Sequence, residues 1–90
     1  MQTFVVETRK KRDLLELAFE LRNMATITTV THQLLPLFVM VGAVSGKENL
    51  EWFEKRRDCV DYPEEASKRI MEILDDIDLI ISEAEKELKK

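Results

Sequence analysis

A chain of 90 residues holds one domain and not two, and its core is small, because a chain this short buries only about 60–65% of the surface it exposes when unfolded. Hydrophobic residues at 44% and charged residues at 36% exclude both a disordered polyelectrolyte and a multi-span membrane protein, and a net charge of −4 from 18 acidic and 14 basic residues gives nucleic-acid binding no general support. Two glycines and two prolines leave too little turn material for a sandwich or barrel, so a few long helices are expected.

Residues 9–25 place Leu14, Leu17, Ala18, Leu21 and Ala25 at three- and four-residue steps, the spacing that lines one face of a helix. Arg9, Lys10, Lys11 and Arg12 would sit badly at the positive end of a helix starting there. Either the helix begins earlier, near Thr3, or residues 1–8 form an extended arm.

The 24 residues between Arg22 and Lys47 contain no Asp, Glu, Lys or Arg, and their apolar side chains do not keep to one face, so burial on most sides is expected. Thr26, Ile27, Thr28, Thr29, Val30 and Thr31 are β-branched and favour strands locally. No Gly or Asn turn is placed to join two strands, however, and Pro36 stands where a hairpin needs pairing. A helix broken or kinked near Pro36 is the better reading. A single membrane span over residues 25–44 has the length but is diluted by Thr26, Thr28, Thr29, Thr31, His32 and Gln33.

Ser45, Gly46, Lys47 and Glu48 match a capping box, which predicts a third helix carrying Leu50, Phe53 and Val60 on one face and ending near Asp61, ahead of Pro63. Asp61 with Glu64 repeats the capping arrangement. The last helix, residues 63–88, has the clearest pattern: Ala66, Ile70, Ile73, Ile77, Ile80 and Ala84 step by four and three, widened by Leu74, Ile81 and Leu88.

Catalytic and metal chemistry find little to work with. His32 and Cys59 are the only histidine and cysteine, too few for a zinc site, and no glutamate stands three residues before His32 as a carboxylate-bridged site requires. A core histidine bonded to a carbonyl is the expected role for His32. The acidic row Glu72, Asp76, Glu83 and Glu87 reads as a solvated face. No P-loop, dinucleotide fingerprint or nucleophile elbow is present, so neither enzyme nor cofactor is expected. A lone cysteine cannot close an internal disulfide, and the N-terminus lacks the layout of a secretory signal, so a reducing, cytoplasmic setting is expected.

Trp52 is the most informative residue. It lies opposite Leu50 and Phe53 on its helix, a turn before Arg56 and two before Cys59, so one buried face cannot hold everything. An indole stacked with Arg56 and rimmed by Lys55 resembles a binding hot spot. The expectation is therefore an all-α bundle of three or four helices over residues 1–90, acting as a protein–protein assembly module. A homo-oligomer is expected, a dimer before higher states, or else association with another helical protein, with Trp52, Lys55, Arg56, Cys59, Ile77 and Ile81 at the contact and a core shared between chains. The alternatives are a polyanion-binding regulator using Arg9, Lys10, Lys11 and Arg12, with nucleic acid as partner, and a membrane protein using residues 25–44.

Overall fold

Backbone signals at the helix ends set the architecture. The computed structural model describes residues 2–42, 44–57 and 61–88, which form four helices: α1 (Gln2–Glu20), α2 (Met24–Val41), α3 (Val44–Glu54) and α4 (Glu64–Leu88). Among the described residues there is no strand, and the protein is an all-α four-helix bundle. Helix α1 ends in a Schellman reversal: the Asn23 amide donates to the Ala18 carbonyl (3.0 Å) and the Arg22 amide to that of Phe19 (3.1 Å). Arg22 takes the left-handed conformation usually given to glycine there, at φ 52°, and its guanidinium lies 5.2 Å from the centre of the Tyr62 ring. Asn23 then caps α2, its Oδ1 accepting from the Thr26 amide at 3.2 Å. Gly42 closes α2 at φ 74°.

At this level the two alternatives for the N-terminal residues are decided, and a break at Pro36 and the expected bounds of the third and fourth helices are corrected. Residues 2–8 continue α1 and form no extended arm, which puts the basic run mid-helix, away from the positive end. Helix α2 runs unbroken through Pro36, which lies on its exposed side. The threonines accept helix geometry because their hydroxyls donate backwards to the chain, Thr28 and Thr29 to the Ala25 carbonyl (3.0 and 2.9 Å) and Thr31 to that of Thr28 (3.0 Å), so buried Thr28 and Thr31 leave no hydroxyl unbonded. Helix α3 begins at Val44, placing Ser45 inside its first turn, and ends at Glu54, short of Val60, which lies outside the described residues. Helix α4 starts at Glu64 with the Pro63 carbonyl accepting from Ala66, so Asp61 lies ahead of the cap.

Each helix packs on its neighbours in sequence, and α4 returns to pack on α1. The cross-links fix the directions as antiparallel: Arg9 to Glu85 and Arg12 to Asp78 between α1 and α4, with Arg22 just after α1 meeting Tyr62 just before α4, Asn49 to Glu72 and Trp52 to Arg69 between α3 and α4, and His32 to Glu54 between α2 and α3. At about 1.5 Å per residue α4 is about 37 Å long and α3 only about 16 Å, which gives the molecule its elongated 45 × 23 × 18 Å form. The core runs from Val5, Leu15 and Ala18 through Ile27, Val30, Leu34 and Phe38 to Leu50, Phe53 and the α4 row Ala66, Ile70, Ile73, Ile77 and Ile81.

Gly46 shows how closely α2 and α3 approach. A β-carbon there would collide with the Phe38 ring and stand 2.8 Å from Asp76 Oδ2. Gly46→Ala is expected to destabilise the fold by about 2 kcal/mol despite alanine's better helix propensity, because overpacking outweighs it. A fall in melting temperature of roughly 10 °C is the readout, and an unchanged or raised value would show that the helices can separate freely.

Candidate functional site

Three surfaces carry the residues that stand out chemically. On the α3–α4 side, Trp52 packs edge-on against buried Phe53, with ring centres 4.9 Å apart and planes at 83°. The Arg56 guanidinium stacks 3.9 Å from the indole centre while its Nη1 donates to the Trp52 carbonyl at 3.0 Å, as i to i+4 spacing on one turn permits. Arg69 reaches across from α4 to lie 5.0 Å from the same ring. Buried Asn49 holds it there, accepting from Arg69 Nη1 at 3.0 Å and donating its own amide to Glu72 at 2.9 Å, and Glu65 pairs with Arg69 at 3.4 Å. Arg69 Nε is buried without a hydrogen-bond partner. Lys55, Arg56, Trp52 and Arg69 line a cleft of about 400 Å³ together with Glu48 and Glu51.

The indole is thus covered by arginines of its own chain, and a partner would meet their edges before the ring. Arg69 and Asn49 were not singled out from sequence. Cys59 lies outside the described residues. Ile77 and Ile81 face the interior and are buried, so they are not a surface. Ile70, Ile73, Ile77 and Ile81 are covered within the one chain, where α4 packs on α1 and α3.

The second surface is one that the spacing had placed inside. Leu14, Leu17 and Leu21 are 45%, 52% and 68% exposed, and the inward face of α1 is instead Val5, Thr8, Leu15 and Ala18. With 3.6 residues per turn, Val6, Lys10, Leu14, Leu17 and Leu21 fall within an arc of about 80° on the outer side. The antiparallel α1–α2 hairpin brings exposed Val39, Met40 and Val41, at the end of α2, to the same end of the molecule as Val6. The uncharged segment is therefore not buried on most sides. Its outward face shows Ala25, Thr29, Gln33, Pro36 and Met40. His32 is also exposed and meets the Glu54 carboxylate, not a backbone carbonyl. By length and composition alone α2 could cross a membrane, but Ile27, Val30, Leu34 and Phe38 on it are core residues here.

The third surface lies between α1 and α4. Arg12 donates from Nε to Asp78 at 2.5 Å and from Nη1 to Glu16 at 2.7 Å, and the Asp78 bond foremost holds its guanidinium in the charged form. Arg9 pairs with Glu85, and Lys10 lies 3.8 Å from Glu7. The four-residue basic cluster thus points around the helix, three of its members engaged by carboxylates. Below Arg12, Phe19, Met71 and Leu74 floor a groove of about 250 Å³ rimmed by Glu16, Glu20, Asp75 and Asp78. Carboxylates are dense along α4: the Asp76 carboxyl is raised above the usual aspartate range by burial, then by Asp75 and Glu72.

What the fold defines is a small all-α bundle with these three surfaces. Comparison with family models, curated proteins and solved structures finds no match.

Proposed function

We propose that the protein is an assembly module that self-associates as a dimer, α1 of one copy against α1 of the other. The observation that carries this reading is the exposure of Leu14, Leu17 and Leu21 in one stripe, a concentration of apolar surface with no role in the chain's own core. Association through two-fold symmetry pairs the same surface with itself. Charge supports a second copy as the occupant: the stripe carries Lys10 in its first half and is flanked by Glu20 in its second. An antiparallel pairing centred between Leu14 and Leu17 brings each Lys10 toward the acidic half of its partner.

The magnitude is modest. Eight half-exposed side chains, Val6, Leu14, Leu17 and Leu21 from each copy, contribute on the order of 8 kcal/mol when covered, against several kcal/mol of lost rigid-body freedom. A concentration-dependent dimer is therefore expected, one in which charge pairing matters. Lys10→Glu is expected to raise the dissociation constant about tenfold, or roughly 1.4 kcal/mol, in sedimentation equilibrium. An unchanged constant would remove the antiparallel arrangement that brings Lys10 to the acidic half of its partner.

No catalytic role is proposed. The polyanion reading loses support because Arg9 and Arg12 are already joined to Glu85 and Asp78, and a phosphate would have to displace carboxylates to reach them.

A further inference from the structure

We infer that the groove between α1 and α4 is a docking site for a basic amphipathic helix of a partner protein. The groove has an apolar floor and an acidic rim. Phe19 and Leu74 are half-buried in it, and Met71 stands at its lip, 58% exposed, the flexible thioether of a surface that adapts to different apolar side chains. Around this floor four carboxylates face one guanidinium, so the lining carries a net charge of −3. Arg12 pairs with Glu16 and Asp78, whereas Glu20 and Asp75, one on each wall, have no cationic partner among the described residues.

That arrangement selects its occupant by chemistry. A helix presenting aliphatic side chains at i, i+3 or i+4, and i+7 fills the floor, and lysines or arginines flanking them reach Glu20 and Asp75. From Met71 to Asp78 the wall rises about 10 Å, two turns of helix, which accommodates three such anchors. Acidic or neutral helices meet the unpaired carboxylates instead and are rejected. The surface is separate from the leucine stripe, which lies on the outer side of α1.

The test uses the full chain and a fluorescein-labelled synthetic helix of leucine and lysine only, about 16 residues long, with leucines at the anchor spacing. Fluorescence anisotropy is expected to show saturable binding at least tenfold tighter than for the same peptide with glutamate in place of lysine. Asp75→Lys and Met71→Asp, both at exposed positions, are each expected to weaken binding at least tenfold with the helical signal intact. Glu48→Lys, the same change of charge on α3, and Leu17→Glu, on the self-association stripe, are expected to leave it within twofold. Binding that falls equally with Glu48→Lys is general charge attraction and overturns the proposal, as does binding lost with Leu17→Glu but kept with Asp75→Lys. Absence of saturable binding overturns it, and so does a change in the protein's own mass caused by Asp75→Lys, which would make the groove a contact between copies.

Discussion

Ile77→Asp is expected to unfold the protein. Ile77 is fully buried at the middle of the α4 row, between Ile73 and Ile81, and no cation lies among the residues of that core. The substitution removes an isoleucine's burial and leaves a carboxylate to be desolvated without a partner, together costing well over about 4 kcal/mol. A chain of this size has roughly 5–13 kcal/mol in total, and a small core lies toward the lower figure. Loss of the helical circular dichroism signal and of a cooperative melt is expected. The neighbouring Asp78→Ala breaks an exposed pair with Arg12 and is expected to change stability by less than about 1 kcal/mol. Equal effects at the two positions would mean that the inward face of α4 is wrongly assigned.

Leu14→Glu combined with Leu17→Glu is expected to have the opposite profile: the fold stays and the assembly goes. Both side chains already stand about half in water, so the replacement uncovers no core and retains good helix formers. In a two-fold pairing it places four carboxylates where four leucines would meet, beside Asp13 and Glu20 of each copy. Desolvating them against one another costs far more than a weak interface supplies. Helical content and melting temperature at low concentration are expected to match the unsubstituted protein. A large loss of helix instead would show that these leucines serve the chain's own core.

Legibility in the sequence followed the uniqueness of each helix's apolar stripe. In α4 the isoleucine stripe is long and regular enough to mark the inward face although Met71 and Leu79 stand exposed elsewhere, and the helix expected over residues 63–88 is found at Glu64–Leu88. Helix α1 carries two stripes. The more apolar one, Leu14, Leu17 and Leu21, is outside, while the buried one includes Thr8 and runs beside Arg12, so hydrophobicity alone points to the wrong face. The Arg12–Asp78 pair, between positions 66 residues apart, joins α1 to α4 beside the buried stripe but is worth too little to choose the face, which is set by the packing of Leu15 and Ala18 into the core. In α2 the strand preference of the threonines was real but local, and hydroxyl bonds to Ala25 and Thr28 satisfied them within a helix. Asn23 was a readable cap ahead of that helix, obscured by the apparent continuation of α1's spacing to Ala25.

The Trp52 cluster divides the same way. Its Arg56 stack follows from i to i+4 spacing and was visible in the sequence. Arg69 and Asn49 come together only because α3 lies antiparallel on α4; locally Arg69 shows only its i to i+4 spacing from Glu65, and nothing marks Asn49. The groove was invisible for a related reason. Phe19, Met71 and Leu74 look like ordinary core residues until packing leaves them at a helix–helix boundary, and the acids around them belong to two separate helices.

The central claim, that exposed leucines on α1 join two copies, is tested most directly by mass in solution over a wide range of protein concentration. Sedimentation equilibrium on the unsubstituted chain is expected to move from the 10.6 kDa of one chain toward twice that value as concentration rises through the micromolar range, while the Leu14→Glu, Leu17→Glu variant stays at one chain throughout. A single-chain mass for the unsubstituted protein even at the highest concentration, or a dimer that the double substitution does not disturb, would contradict it.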